Sequence, residues 1–300
     1  MKILLTGSDG QIGTELRLLL ANHSTFDLSA TTRAQLDICN ADQITAVISA
    51  IQPDIVINAA AYTAVDAAEN DEDASYAVNN TGPELLAKAC SLAQSVMIHI
   101  STDFVFDGEQ REPYKESAGI TPLNVYGKSK AAGEAKVRKY CPAHIILRTS
   151  WVYSPWGSNF LKTMLRLMTD NKLLRIVGDQ AGSPTAAADA AAAIVKIAEQ
   201  LAGSESPTYG TFHYCGSGST NWLGFARQIA ATYTDLTGLP VQLEEIKSSE
   251  YPTAAQRPPY SVLNCERIQE IFSVTALNWQ TAVDRETRRL VAMQTTDNTQ

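Results

Sequence analysis

Short apolar runs alternate with amphipathic stretches through the first half of the chain. Ile3–Leu5 precedes a helix expected over about Gln11–Ala21, a weaker strand near Asp27–Thr31 and a helix near Ala41–Ile51. The continuous run Ile55-Val56-Ile57, a helix over about Pro83–Ala93 and the apolar stretch Val96–Ile100 come next. A helix over about Val125–Tyr140 and a strand at Ile145-Ile146-Leu147 close the series. Strands apolar on both faces, each followed by a helix, predict a doubly wound α/β fold: a parallel sheet covered by helices on both sides.

Beyond Trp151 the pattern loosens. Gly, Pro and Ser collect around 155–158, 178–184, 203–210 and 216–219, and helices are predicted at Asn159–Asn171, Thr185–Leu201 and Trp222–Thr237. A soft boundary near Arg148–Tyr153 separates a sheet domain, residues 1–150, from a smaller mixed α/β lobe, residues 151–300, with some later elements expected to return to the sheet. The Ala-rich stretch 186–193 is read as a helix former only, and 295–300 as a frayed tail.

Composition narrows the function classes. The 300 residues carry 24 Lys and Arg against 32 Asp and Glu, a net charge of −8 that repels phosphate backbones and argues against a nucleic-acid partner. A small anionic ligand in a local pocket remains compatible with it. The 5 cysteines are widely spaced with no C-x-x-C pair, so they read as reduced, mostly structural thiols. No apolar run approaches the roughly 20 residues a membrane helix requires, and no signal-peptide pattern is present, so a cytoplasmic protein is expected.

Gly7-Ser8-Asp9-Gly10-Gln11-Ile12-Gly13 joins the first strand to the first helix as G-x-x-G-x-x-G. Such a junction needs glycine at a sharp turn, where backbone approaches a pyrophosphate and where helix meets strand. The free N–H groups of the helix start then hold phosphate. At the end of the second strand Thr31-Thr32-Arg33 offers a cation and no acid until Asp37, which favours NADP(H) and leaves NAD(H) possible. Together these cues predict a Rossmann-type dinucleotide site.

Tyr126-Gly127-Lys128-Ser129-Lys130 places a phenol and an ammonium four residues apart, on one helix face. A neighbouring ammonium is expected to favour the phenolate and bring its pKa toward neutrality. Ser101-Thr102-Asp103 follows an apolar strand at the edge where open sheets bind ligands, and a hydroxyl there can donate to a carbonyl oxygen as charge develops. Thr102, Tyr126 and Lys130 are thus the candidate catalytic residues. Asn79 is a candidate to fix backbone and water behind the lysine, or equally a helix cap. The histidines show no metal spacing.

With these residues in place, the chain resembles the extended short-chain dehydrogenase/reductase family from Met1 to about Trp279. The most specific pieces are Asn58–Glu69, Ser101–Phe106, Pro122–Lys128, Arg148–Tyr153, Asn159-Phe160, Asp179-Gln180, Gly182–Thr185 and Arg257-Pro258 with Ser261 and Leu263. The resemblance implies NADPH-dependent reduction of the 4-keto group of a dTDP-linked 6-deoxy-sugar to dTDP-L-rhamnose, a cell-envelope sugar donor. Gly10, Gln11, Ile12, Asp37, Ile38, Ala61, Tyr62 and Thr63 would line the cofactor, and Lys130 would reach its ribose. Thr102, Asp103 and Trp151 would touch the sugar nucleotide, with Val65 and Asp66 nearby. Phe104 stands where a dehydratase carries its base, which disfavours that relative.

Two residues depart from the family pattern, Ser154 and Asn264. Some members bind magnesium at a dimer interface through three glutamates. Glu15 matches the first, but 186–193 offers only Asp189, so no metal ligand is assigned, the magnesium requirement stays open and Glu15 is expected to be an exposed helix carboxylate. The partner is a small nucleotide sugar, and the chain a monomer or homodimer. Two other functions fit the same motifs: a non-catalytic NADP-binding regulatory subunit, or an oxidoreductase or epimerase acting on another nucleotide sugar.

Overall fold

The structure, a computed structural model, describes residues 1–170 and 173–297. Its centre is a sheet of β1 (Lys2–Thr6), β2 (Asp27–Thr31), β3 (Ile55–Asn58), β4 (Val96–Thr102) and β5 (His144–Thr149), completed by Gly210–His213. The six strands run parallel in the order Gly210–His213, β5, β4, β3, β1, β2. Order reverses between β1 and β3, so the crevice at their carboxyl ends is the switch point where this architecture takes ligands.

Both faces of the sheet are apolar and covered, as the unbroken Ile and Val runs require. One face packs Ile3, Leu5, Ile55 and Ile57 against the helices Gln11–Leu20 and Ala187–Gly203. The alanines of the second helix, including Ala187, Ala190, Ala191 and Ala193, are buried in this core, and their small side chains let the two helices approach closely. The Ala-rich stretch therefore serves packing as well as helix propensity. The other face buries Leu4, Val56, Met97 and Ile146 under Ile44, Leu86 and Val137.

A third cluster fills the second half. It joins Leu161, Met164 and Leu165 to Phe225, Ile229 and Val283 from the helices Phe160–Asp170, Trp222–Thr237 and Trp279–Asp297. A parallel pair, Leu173–Val177 with Gln242–Ile246, lies beside it.

Several boundaries differ from expectation. Thr185–Ala186 pairs with Val152–Tyr153, so the following helix begins at Ala187. The helix expected to end at Asn171 reaches Asp170, and Asn171 lies outside the described residues. The expected tail from Thr295 is helical through Asp297, with 298–300 outside the described residues. Strand β4 continues through Ser101 to Thr102, which puts the candidate hydroxyl on the last strand residue. Short helices at Val65–Ala68 and Glu72–Tyr76 and a π-turn at Ala77–Thr81 were not expected, being too brief to show a helical period.

Candidate active site

The glycine loop is shaped by close approach. Gly7 has φ +68, and a Cβ there would lie 2.5 Å from the Ala60 nitrogen; one on Gly13 would lie 2.1 Å from the Gly7 carbonyl oxygen. Gly10 caps the first helix with no side-chain hydrogen bond, so no side chain takes the first-turn amides. A cavity of about 270 Å³ opens here, lined by Gly7, Gly10, Arg33, Asp37, Ile38, Ala61 and Tyr62 among others. Of the other residues expected at the cofactor, Gln11, Gly13, Thr63, Tyr126 and Lys130 are not among its lining. The Ile12 side chain is turned into the core, which leaves only its backbone to face a ligand.

Tyr126 stands at the start of the helix Val125–Tyr140. Asn124 accepts from the Gly127 amide at 2.8 Å, and Glu69 accepts from the Val125 amide at 2.8 Å. A Cβ on Gly127 would sit 2.2 Å from the Phe104 carbonyl oxygen, so glycine lets this turn press against the segment after β4. That approach sets the Tyr126 phenol beside Thr102, whose hydroxyl acts to lower the phenol's pKa. Thr102 Oγ1 also donates to Asp103 Oδ1 at 3.1 Å.

Burial sets the protonation states. It pushes the Tyr126 phenol up to about 12, with Thr102 opposing and Asp103 adding to the rise. It pushes Lys130 down to about 8, with Glu134 opposing. The expected phenolate is not favoured in this geometry, because Lys130 Nζ donates to the Ile100 carbonyl at 2.7 Å and neutral phenol is the form burial prefers. Asp103, likewise enclosed, rises to about 6 through burial, against the hydroxyls of Ser261 and Thr102. Its Oδ2 has no hydrogen-bond partner among the described residues.

Asn79 lies in the π-turn and caps no helix with its side chain. Its Oδ1 accepts from the Tyr62 amide at 2.9 Å and its Nδ2 donates to the Tyr62 carbonyl at 3.0 Å and to Ser129 Oγ at 3.1 Å. Ser129 Oγ in turn donates to the Tyr126 carbonyl at 2.8 Å. One amide thus ties the loop that walls the 270 Å³ cavity to the helix carrying Tyr126 and Lys130.

A second, larger cleft of about 1080 Å³ is lined by Asp66, Phe160, Arg175, Gln180, Trp222, Tyr251, Arg257 and others. Asp66 is held by Arg257, with Nη2 to Oδ2 at 2.6 Å and Nη1 to Oδ1 at 3.0 Å, and by the Ala255 amide at 3.1 Å. Val65, Thr102, Asp103 and Trp151 do not line this cleft. Trp151 stacks on Trp222 with centroids 3.7 Å apart, and it adopts φ +47, a left-handed backbone that is rare for a bulky residue. Trp222 donates its indole N–H to Gln180 Oε1 at 3.0 Å.

The profile of the RmlD substrate binding domain family matches residues 1–291. The chain belongs to this family. It is 40% identical over 285 residues to the dTDP-4-dehydrorhamnose reductase of Aggregatibacter actinomycetemcomitans, covering 94% of this chain and 97% of that protein. The solved dTDP-4-dehydrorhamnose reductase of Clostridium acetobutylicum superposes with a TM-score of 0.89 at 35% identity, covering 97% of this chain and 99% of that one. That of Bacillus anthracis, solved in complex with NADP, does so with a TM-score of 0.88 at 34% identity, covering 96% and 99%.

Against the magnesium site of some family members, Glu15 behaves differently from expectation. Its side chain is buried: Oε1 accepts from the Trp156 indole N–H at 2.7 Å and from Arg289 Nη1 at 2.7 Å. Asp189 is paired with Arg285 at 2.9 Å. With a guanidinium and an indole already against the carboxylate, this arrangement does not fit a divalent cation, and no group of three potential ligands occurs among the described residues.

Sequence reasoning missed Glu134 and Arg148. Arg148 Nε and Nη2 donate to Glu134 Oε1 and Oε2 at 2.8 and 2.7 Å, fully buried, with Ser101 Oγ donating to Oε1 at 2.6 Å. The signal was present: Arg148 is a charge within an apolar strand, and Glu134 follows Lys130 by one helical repeat. Gln180 and Arg257 stood in motifs that carry the resemblance but were given no role, and Trp222 was not singled out; all three meet in the cleft only through folding, from distant segments.

Proposed function

We propose that this protein is an NADPH-dependent dTDP-4-dehydrorhamnose reductase, reducing the 4-keto group of dTDP-4-dehydro-6-deoxy-L-mannose to dTDP-L-rhamnose. The observation that carries the reading is the meeting of Thr102 and Tyr126 at the carboxyl end of β4, with Lys130 one turn further along the same helix. The curated relatives and the NADP complex named above support it.

The residues present fit a dinucleotide. Gly7 and Gly10 leave room for a pyrophosphate at the first-turn amides, and Arg33 offers a cation to a 2′-phosphate. Asp37, Ile38, Ala61 and Tyr62 line the same cavity, and Lys130 is assigned to the ribose. When bound, NADPH supplies the hydride to the carbonyl carbon.

The chain's own residues handle the oxygen and the proton. Tyr126, kept protonated by burial, delivers its phenolic proton to the substrate oxygen as charge develops there. Thr102 turns its hydroxyl from Asp103 to that oxygen and stabilises it. Asp103, Val65, Asp66 and Trp151 are assigned to the sugar nucleotide, and the strained backbone of Trp151 is consistent with a functional position. Residues 1–150 serve mainly the cofactor and 151–300 mainly the substrate.

Mixing the purified protein with NADPH and dTDP-4-dehydro-6-deoxy-L-mannose and following loss of reduced-nicotinamide absorbance tests the proposal. Turnover that forms dTDP-L-rhamnose is expected. Cofactor binding with no turnover would overturn the reductase reading in favour of a regulatory subunit.

A further inference from the structure

Cys215 and Cys265 are 50 positions apart in the sequence, yet their Sγ atoms are 3.6 Å apart. Both are free thiols, Cys215 buried and Cys265 partly exposed. Both Sγ atoms also face the Leu263 carbonyl oxygen at 3.9 Å. They share the apolar cluster of Val105, Phe106, Tyr114 and Leu263, with Ser183 and Asp103 acting on Cys215 and Glu116 on Cys265. Neither thiol has a part in the proposed reduction.

We propose that Cys215 and Cys265 are a dithiol modification site, at which an oxidant of the peroxide class closes a reversible disulfide. A thiolate attacks a peroxide oxygen, forming an S–O bond and breaking O–O as hydroxide leaves. The neighbouring sulfur, giving up its proton, then attacks the sulfenic sulfur; S–S forms, S–O breaks and water departs. The two sulfurs lose two electrons and the peroxide gains them, ending as two waters. Contact with Cys265 holds the Cys215 thiol below its usual range and pushes Cys265 up, so Cys215 is the sulfur assigned to the first attack.

Closure has a route to the active site. The sulfurs must move from 3.6 Å to the roughly 2.05 Å of a disulfide. The segment that moves with Cys265 includes Ser261, whose hydroxyl acts to lower the pKa of the Asp103 carboxyl. The same segment bridges Leu263 to Tyr114 and donates the Asn264 amide to the Tyr114 carbonyl at 2.8 Å. A displaced Ser261 changes the electrostatic surroundings of Asp103, beside Thr102.

The test uses the whole purified chain treated with hydrogen peroxide under non-denaturing conditions, then alkylated and mapped by mass spectrometry. The expected result is a linked peptide pair containing Cys215 and Cys265, lost on adding dithiothreitol, with turnover reduced several-fold in step with the link and restored by the reductant. Cys265→Ser keeps its basal turnover and gives no link. Absence of the Cys215–Cys265 link while either thiol is recovered reduced or as sulfinic acid overturns the site. A complete link with unchanged turnover overturns its coupling to Asp103.

Discussion

Two ends of one helix face treat buried charge in opposite ways. Toward the C-terminal end, Glu134 is matched by Arg148, Arg138 and Ser101, and these partners outweigh burial and hold its carboxyl below the usual range. Arg148 also contacts His213 at 3.3 Å, joining the helix to β5 and the edge strand. Toward the N-terminal end, Tyr126 and the neighbouring Asp103 are equally enclosed but under-partnered, and both pKa values rise. Lys130, between them, is held by a single backbone carbonyl and pushed down. A saturated buried charge locks elements together, while an unsaturated one keeps hydrogen-bonding capacity for something absent from the chain.

Substitutions at the two ends separate these roles. Tyr126→Phe should lower turnover by about 10²–10⁴-fold with little change in NADPH affinity, read by steady-state kinetics beside a cofactor titration. Near-full activity would remove Tyr126 as the proton donor. Arg148→Met strips the saturated end and leaves Glu134 buried without its main partner, which costs about 3–5 kcal/mol in denaturant unfolding. A loss below 1 kcal/mol would show that Arg138 and Ser101 suffice.

Asp103→Asn sharpens the contrast through pH. The wild-type carboxyl titrates at about 6 when folded and near 3.8 when unfolded, so the folded state binds the extra proton between those values. Stability contributed by the neutral acid is therefore complete below pH 4 and lost as pH rises through 6, by up to about 3 kcal/mol. The Asn variant lacks this slope, and its stability relative to wild type should climb from pH 4 to 6 and then level. Parallel unfolding curves across that range would place the titration elsewhere. Asn79→Ala, which opens the clasp between the cavity wall and the helix, should cost about 1–3 kcal/mol and weaken NADPH binding more than it lowers turnover. An unchanged cofactor affinity would assign Asn79 to stability alone.

The alternation of apolar runs determined the parallel sheet, because strands such as Ile55–Ile57 can be satisfied only with both faces covered. Local spacing likewise exposed the glycine turn and the Tyr126–Lys130 pair, since strand, turn and helix each impose a fixed geometry over a few residues. What lies across the chain was not legible. Glu15 read as an exposed helix carboxylate until folding brought Trp156 and Arg289 against it. Lys130 read as a modulator of Tyr126 until the Ile100 carbonyl was seen to hold it. Ser154, a mild departure in sequence, donates to the Gln11 side chain at 2.9 Å across the two halves. Periodicity and motif spacing record forces acting along a few residues. Burial, ion pairing and pKa depend on which distant segments exclude water together, and only the tertiary structure decides that.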